Sequence, residues 1–591
     1  MLQPDLFMIL QELPLTLSYR WPERRNRMQI SVFLIVGLCF VLVGHGIQVS
    51  PKQPYRSAFH FQPPKNWMSD PNGPMYLSGI YHLFYQANPY SVIKGNMTWG
   101  HSVSYDLVNW IHLEPALYRG DPYDPHGCWS GSITFLYEEN PVILYTGVDN
   151  EGIQTQNLAW PKNLSDPFLR EWVKSTQNPL MSPIDDIDPK YFRDPTTAWK
   201  GPDGKWRVLV GNQMNGHGLA LLYTSKDFVR WTRSMNPFYS SNNTLMWECP
   251  DFYPVSINGK YGVDTSSQEK FTKHVLKASI NLIFHDYYIL GNYSSETDHF
   301  SADTDFKGDA SDLRYDYGKF YASKTFFDSS KKKRILWGWV NESETQSDDL
   351  EKGWSGLQAI PRSILLSKNE KQLIQWPIKE IEKLRKKKVS FEDKELKGGS
   401  VLKVPDITAS QADVEVSFDL PSLTEAELMD TSWIDPQLLC SQNTASVRGR
   451  VGPFGLLVLA SKGLKEQTAV FFRIFRSNND KYVVLMCSDQ SRSSLREELD
   501  KTTYGAFIDI DPIHEKISLR TLIDHSIIES FGGEGRSCIT ARVYPELAIG
   551  DEAELFAFNN GTLDVNVSRL NAWSMRKAQL VSPNNRRKPK I

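Results

Sequence analysis

Five short apolar runs constrain what this chain can fold into: residues 81–86 (YHLFYQ), 142–147 (VILYTG), 206–211 (WRVLVG), 287–291 (YYILG) and 335–339 (ILWGW). Each is rich in aromatic and branched residues and is bounded by Gly, Pro, Asn or Asp clusters, with hardly a helical period anywhere between them. A buried strand that returns at intervals of tens of residues predicts a radial array of small sheets. The expected fold class is all-β, a five-bladed β-propeller over 51–377, with a sandwich or barrel with long loops as the structural alternative. Turns at one end of a propeller's inner strands converge on a central funnel, so that is where chemistry is to be sought.

After residue 377 the pattern changes. Residues 378–388 (IKEIEKLRKKK) put apolar side chains at helical spacing ahead of a basic run, which predicts a linker with a helical turn over 378–395 and a solvated basic face. Two-faced alternation returns at 412–418, 468–474, 517–523 and 527–531, the pattern of a β-sandwich, here over 396–582. Asp524 and His525 fall between two of these strands and read as a hairpin corner. The polar, basic end at 583–591 is expected to be disordered. A chain of 591 residues is too long for one ordinary core, in agreement with two domains.

The address is written at the N-terminus. Arg24, Arg25 and Arg27 precede Met28 and an apolar run over 30–44, which reads as a secretory signal within 1–50, with Met28 a candidate start. The run is short for a membrane span, which favours a removed signal over a retained anchor. Seven sequons, at Asn96, Asn163, Asn242, Asn292, Asn341, Asn560 and Asn566, agree with a glycosylating secretory route. Of six Cys, Cys39 would leave with the signal, so at least one of the rest stays unpaired or pairs between chains. A net charge of −3 gives no electrostatic reason to expect nucleic acid. No His/Cys ligand spacing is seen, so neither metal nor other cofactor is expected.

Three carboxylates stand in unusual settings. Asp70 lies in 66–74 (NWMSDPNGP), Asp194 in 191–196 (YFRDPT) and Glu248 in 246–251 (MWECPD). Singly each is explained by structure: Asp-Pro-Asn-Gly is a ready turn, Arg193-Asp194 a local ion pair, and Glu248 a loop acid. Jointly they supply what glycoside hydrolysis needs, namely a nucleophile, a charge partner for the sugar, and an acid whose pKa would be raised by apolar neighbours such as Trp247. Aromatic residues make up 12% of the chain, enough to offer faces for stacking on sugar rings.

With 67–73 (WMSDPNG), 193–195 (RDP) and 247–251 (WECPD) in order, joined by 127–132 (GCWSGS), 528–532 (IESFG) and 541–545 (ARVYP), the chain resembles glycoside hydrolase family 32, within it the plant cell-wall invertases and fructan exohydrolases. The resemblance covers nearly the whole mature chain. It implies a five-bladed propeller followed by a sandwich, and a retaining reaction. Asp70 matches the family nucleophile, Glu248 the acid/base and Asp194 the transition-state stabiliser. Asn66, Trp67, Gln86, Trp129, Ser130 and Arg193 match positions lining the fructosyl pocket, and Cys440 and Cys487 match a sandwich disulfide. It also implies an apoplastic, cell-wall location and allows a proteinaceous inhibitor as partner.

The chain departs from the family's pattern at the leaving-sugar side. An Asp and a Lys that help sucrose-cleaving members hold glucose are here Asn281 and Phe284, and a Trp in the loop before Gly95-Asn96 is here Lys94. Lost polar recognition of glucose should weaken sucrose selectively. The reading is therefore a retaining β-fructofuranosidase, a fructan exohydrolase acting on inulin- or levan-type chains with weak sucrose cleavage. An acid invertase is the alternative. Ser69, where most hydrolases of the family carry Asn, keeps a fructosyltransferase in view, although Pro250 matches the cell-wall group. A catalytically idle sugar-binding relative is disfavoured by retention of all three carboxylates.

Overall fold

A computed structural model describes residues 53–581 apart from 138, 139, 185, 421 and 480; the signal region and the tail lie outside them. The described strands form seven sheets. Five follow one another through residue 377, and the fourth is typical: Trp247–Ser256, Thr272–Ile280, His285–Ser294 and His299–Ala302 pair as an antiparallel meander. First strands of successive sheets approach one another, Trp247–Ser256 near Tyr321–Asp328 and the latter near Asn66–Pro71. The ring closes where Trp354–Ser355 pair in parallel with Asn66 and Trp67. The all-β propeller expected from the sequence is present, followed by a two-sheet sandwich.

Each of the five apolar runs falls in a different sheet, but none is the first strand. Four lie in the strand beside it and the run at 287–291 lies one further out. Their glycines serve close packing, within a sheet or between sheets. A Cβ on Gly211 would sit 2.1 Å from Trp247 O, and one on Gly338 would sit 2.2 Å from the Phe320 ring.

The stretch read as linker is shorter than expected. A 3-10 helix spans Lys379–Leu384, and from Arg385 the chain is already the strand Arg385–Leu396 of the sixth sheet. Val389 and Phe391 turn onto the sandwich core while Lys386, Lys387 and Lys388 stay in water, so alternation rather than the basic run decided the structure. The core lies between the sixth and seventh sheets and takes Val414, Val416, Phe418, Phe454, Phe472, Leu519, Ile528 and Leu570 from both. Cys440 and Cys487 form a disulfide, and Cys128, Cys249 and Cys538 are free and buried. The last strand, Leu580–Val581, leaves the sandwich altogether and pairs in parallel with Trp110 and Ile111 of the first sheet.

Buried polar groups join the two halves. Asp524, read as a hairpin corner, instead accepts from the backbone N–H of Ala58 (2.6 Å), Phe59 (2.8 Å) and His60 (3.0 Å) and from His60 Nδ1 (2.8 Å). His525, at φ 57°, does make the turn. His60 Nε2 lies 2.9 Å from Glu529, which also binds Arg362 at 2.8 Å. Of the sequons, Asn96, Asn163, Asn242, Asn292 and Asn341 are exposed; Asn560 and Asn566 are half-buried, with Asn560 Nδ2 donating to Ala445 O at 3.0 Å.

Candidate active site

The site residues sit where the first strands break their register. Pairing slips between Met68 and Pro71 in the first sheet, between Cys128 and Gly131 in the second, between Glu248 and Asp251 in the fourth and between Tyr321 and Lys324 in the fifth. In the third, the strand Phe192–Arg193 stops at Asp194, whose φ is 66°. A bulge re-aims the side chains beside it. Here the slips present Asp70, Ser130, Asp194, Glu248 and Tyr321 from five separate sheets. Cys249 and Ala322, at φ 43° and 51°, carry the bend in two of them.

Buried pairs hold the bends. Lys277 Nζ donates to Cys249 O (3.0 Å) and Ser323 O (2.9 Å) and pairs with Asp286 at 3.1 Å. Asp286 in turn accepts from the N–H of Ser323 at 2.7 Å and of Ala322 at 3.2 Å. Lys324 Nζ donates to Pro250 O at 3.1 Å. One buried ion pair thus fixes the fourth-sheet bulge against the fifth.

All three predicted carboxylates come together. Ser130 Oγ donates to Asp70 Oδ2 at 2.6 Å. The Cys249 thiol lies 3.7 Å from both Asp70 Oδ2 and Asp194 Oδ2, and the Cys249 N–H donates to Asp194 Oδ2 at 2.9 Å. Arg193 binds Glu248 Oε1 through Nη2 (2.7 Å) and Nε (3.2 Å), and its Nη1 is braced by Gln154 Oε1 at 3.3 Å. Tyr321 OH (2.6 Å) and Asn281 Nδ2 (3.0 Å) both donate to Glu248 Oε2.

The electrostatics differ from the sequence-based expectation. Burial works to raise Glu248, but the Arg193 charge and the donors Tyr321, Asn281 and Arg193 outweigh it, so its pKa is lowered rather than raised. Trp247 does not touch the carboxylate's chemistry; its indole stacks on Tyr239 and donates to Thr244. The raised groups are the other two. Burial lifts Asp70, assisted by Glu248 and opposed by Ser130 and Lys94. Burial, with Glu248 and Asp70 assisting and Arg193 opposing, lifts Asp194 to about 6.

The remaining predicted residues lie on these first strands, on strands paired with them, or in adjoining loops. Asn66, at φ 71°, donates to Pro89 O at 2.6 Å. Trp67 meets Trp339 edge-on at 6.3 Å, and the Gln86 amide donates to Cys128 O at 3.0 Å while its Oε1 has no protein partner. Trp129 is half-buried, its indole beside Gly127. Ser69 is buried, and its carbonyl accepts from Gln358 at 2.7 Å. Lys94 is exposed, near enough for its charge to act on Asp70. Phe284 is 52% exposed, with its ring 4.9 Å from that of Tyr321, which is 6.5 Å from Trp339. Trp67, Trp339, Tyr321 and Phe284 therefore form a series of ring contacts that runs from a buried residue to an exposed one. Sequence reading missed Tyr321, Trp339 and Gln154. The run at 335–339 did contain Trp339, but nothing marked Tyr321, whose role depends on a bulge.

Comparison with known proteins agrees with this geometry. Residues 60–377 match the glycosyl hydrolases family 32 N-terminal domain and residues 380–574 the glycosyl hydrolases family 32 C terminal. The chain is 58% identical over 539 residues to the beta-fructofuranosidase insoluble isoenzyme CWINV1 of Arabidopsis thaliana, covering 90% of this chain and 92% of that protein. It is 56% identical over 537 residues to the fructan 6-exohydrolase of Beta vulgaris, covering 90% and 88%. The crystal structure of fructan 1-exohydrolase IIa from Cichorium intybus superposes with a TM-score of 0.88 at 55% identity, covering 90% of this chain and 99% of that one; a variant of that enzyme has been solved with 1-kestose.

Proposed function

Because the chain belongs to glycosyl hydrolase family 32 and is a β-fructofuranosidase, we propose that its preferred substrate is a fructan, from which it removes terminal fructose with retention, and that sucrose is a poor substrate. Asp70 attacks the anomeric carbon of the terminal fructofuranosyl unit while Glu248 protonates the departing oxygen. Water deprotonated by Glu248 then releases fructose from the Asp70 ester. Asp194 holds ring hydroxyls as positive charge develops, and Gln86 Oε1 offers a further acceptor.

In the free site Glu248 is held toward its ionised form. Four hydrogen bonds hold Glu248 as an anion, while Asp194 and Asp70 are the groups inclined to protonate. Sugar hydroxyls that donate to Asp194 and Asp70 favour their ionised forms, which shifts the shared proton toward Glu248. Once Asp70 is esterified its charge is gone, Glu248 loses proton affinity, and it serves as the base.

The observation that carries the fructan reading is the wall beside Glu248. It consists of an amide, Asn281, and an exposed aromatic ring, Phe284, so no charged pair is available there for the hydroxyls of glucose. The identity to an insoluble β-fructofuranosidase favours the second reading, an invertase, and supports a cell-wall location for either. Fructose release from sucrose, inulin and levan at mildly acidic pH decides between them, with Asp70→Ala as control. Release from a fructan well above that from sucrose, abolished in the control, is expected. Sucrose as best substrate would make this an invertase, net transfer to sucrose a transferase, and no release a sugar-binding relative.

A further inference from the structure

We propose that Asn281 is a positioning residue for the acid: through its contact with Glu248 Oε2 it sets the pH above which the enzyme has no proton to give. The inference rests on the glycosidase reading of Glu248 and goes beyond substrate choice.

The argument starts from the donor inventory. Glu248 Oε1 receives Nη2 and Nε of Arg193, and Oε2 receives Tyr321 OH and Asn281 Nδ2. All four contacts suit a carboxylate, and a protonated Glu248 must give up or turn around one of them. Arg193 cannot accept a hydrogen bond at all. Tyr321 is buried, with its ring held between Phe284 and Trp339, so only its O–H can turn to accept. Asn281 alone is exposed, at the tip of the hairpin joining Thr272–Ile280 to His285–Ser294, and rotation of its amide replaces a donor with an acceptor.

The other charges around Glu248 come from neighbouring strands and do not change with this rotation. Asp194 and Asp70 raise its proton affinity through space and Arg193 lowers it. Lys94 bears on Asp70, and Lys277 and Lys324 lie beneath the backbone at 249–250. An ionised carboxylate at 281 would add a second acceptor and a negative charge about 3 Å from Oε2, which favours a proton shared with Glu248. The residue at this place therefore adjusts the acid without touching the nucleophile.

The test compares wild type, Asn281→Asp and Asn281→Ala in two measurements. One is the pH profile of kcat/KM for fructose release, whose alkaline limb reports the acid in the free enzyme. The other is an infrared titration of the Glu248 carboxylate band, assigned by its loss in Glu248→Gln, which needs no turnover. Asn281→Asp is expected to raise both by about one unit or more, and Asn281→Ala by less, with the acidic limb in place. Limbs and titration that stay within about 0.2 units of wild type, whatever happens to KM, would overturn the proposal. If the Glu248 band shifts as expected but no fructoside is cleaved, the contact with Asn281 holds and it is the glycosidase reading that falls.

Discussion

Lys94 illustrates how much one residue outside hydrogen-bonding range can do. Its charge opposes the burial that raises Asp70, and Asp70 must be ionised to attack. Lys94→Ala should therefore raise Asp70 and move the acidic limb of the pH profile upward, so that activity is lost at a pH where the wild type still works. The shift should be a few tenths of a unit, because an exposed charge pair is worth about 0.2–1 kcal/mol and one unit is about 1.4 kcal/mol. Lys94→Trp should give the same shift and also provide a ring for the leaving sugar, which would appear as a lower KM for sucrose. An unmoved acidic limb in both would show that Lys94 does not act on the nucleophile. At this scale the sequence was informative about identity and poor on chemistry. Asp70, Asp194 and Glu248 were legible from their aromatic and turn-forming neighbours. The proton affinity of Glu248 was not, since its direction is decided by Arg193 and Tyr321, which arrive from the third and fifth sheets.

The elements that matter most are irregular ones. The apolar runs were readable because a strand buried on both faces leaves an unbroken pattern. The first strands were not, because Asn66–Pro71, Gly127–Phe135 and Trp247–Ser256 mix Gly, Pro and carboxylates with aromatics around a register slip. A slip has no sequence signature of its own; it is stabilised from behind. Lys277 and Asp286 do this for two sheets at once. Lys277→Met leaves Asp286 buried without its cation and frees Cys249 O. We expect a stability loss of about 3–5 kcal/mol in urea unfolding, and a fall in kcat larger than any rise in KM, since the bulge orients groups for the transition state. A stability loss with kcat intact would separate the pair from the chemistry.

For the molecule as a whole, the decisive contacts lie between propeller and sandwich. His60 is enclosed by Asp524 and Glu529; burial alone would lower its pKa, but the two carboxylates outweigh that and raise it. Asp524 and Glu529 are held low, against burial, by His60 and Arg362. The charged trio therefore contributes fully above the ordinary carboxylate range and below about 6.5, and its histidine share is lost as pH rises through the raised His60 value. Unfolding temperature should fall on the alkaline side, and His60→Gln should be less stable at pH 5–6 with a flatter alkaline decline. An identical slope in the variant would place the pH dependence elsewhere. Sequence reading took Asp524 for a turn because its partners, residues 58–60, are almost a full chain length away. The pairing of Leu580–Val581 with the first sheet has a bearing on biosynthesis. Trp110 and Ile111 leave the ribosome well before their partner strand, which follows the whole sandwich. Among the described sheets, the one that carries Asp70 thus begins first and is completed last, and a chain released short of residue 580 keeps a bare edge on the very sheet that holds the nucleophile.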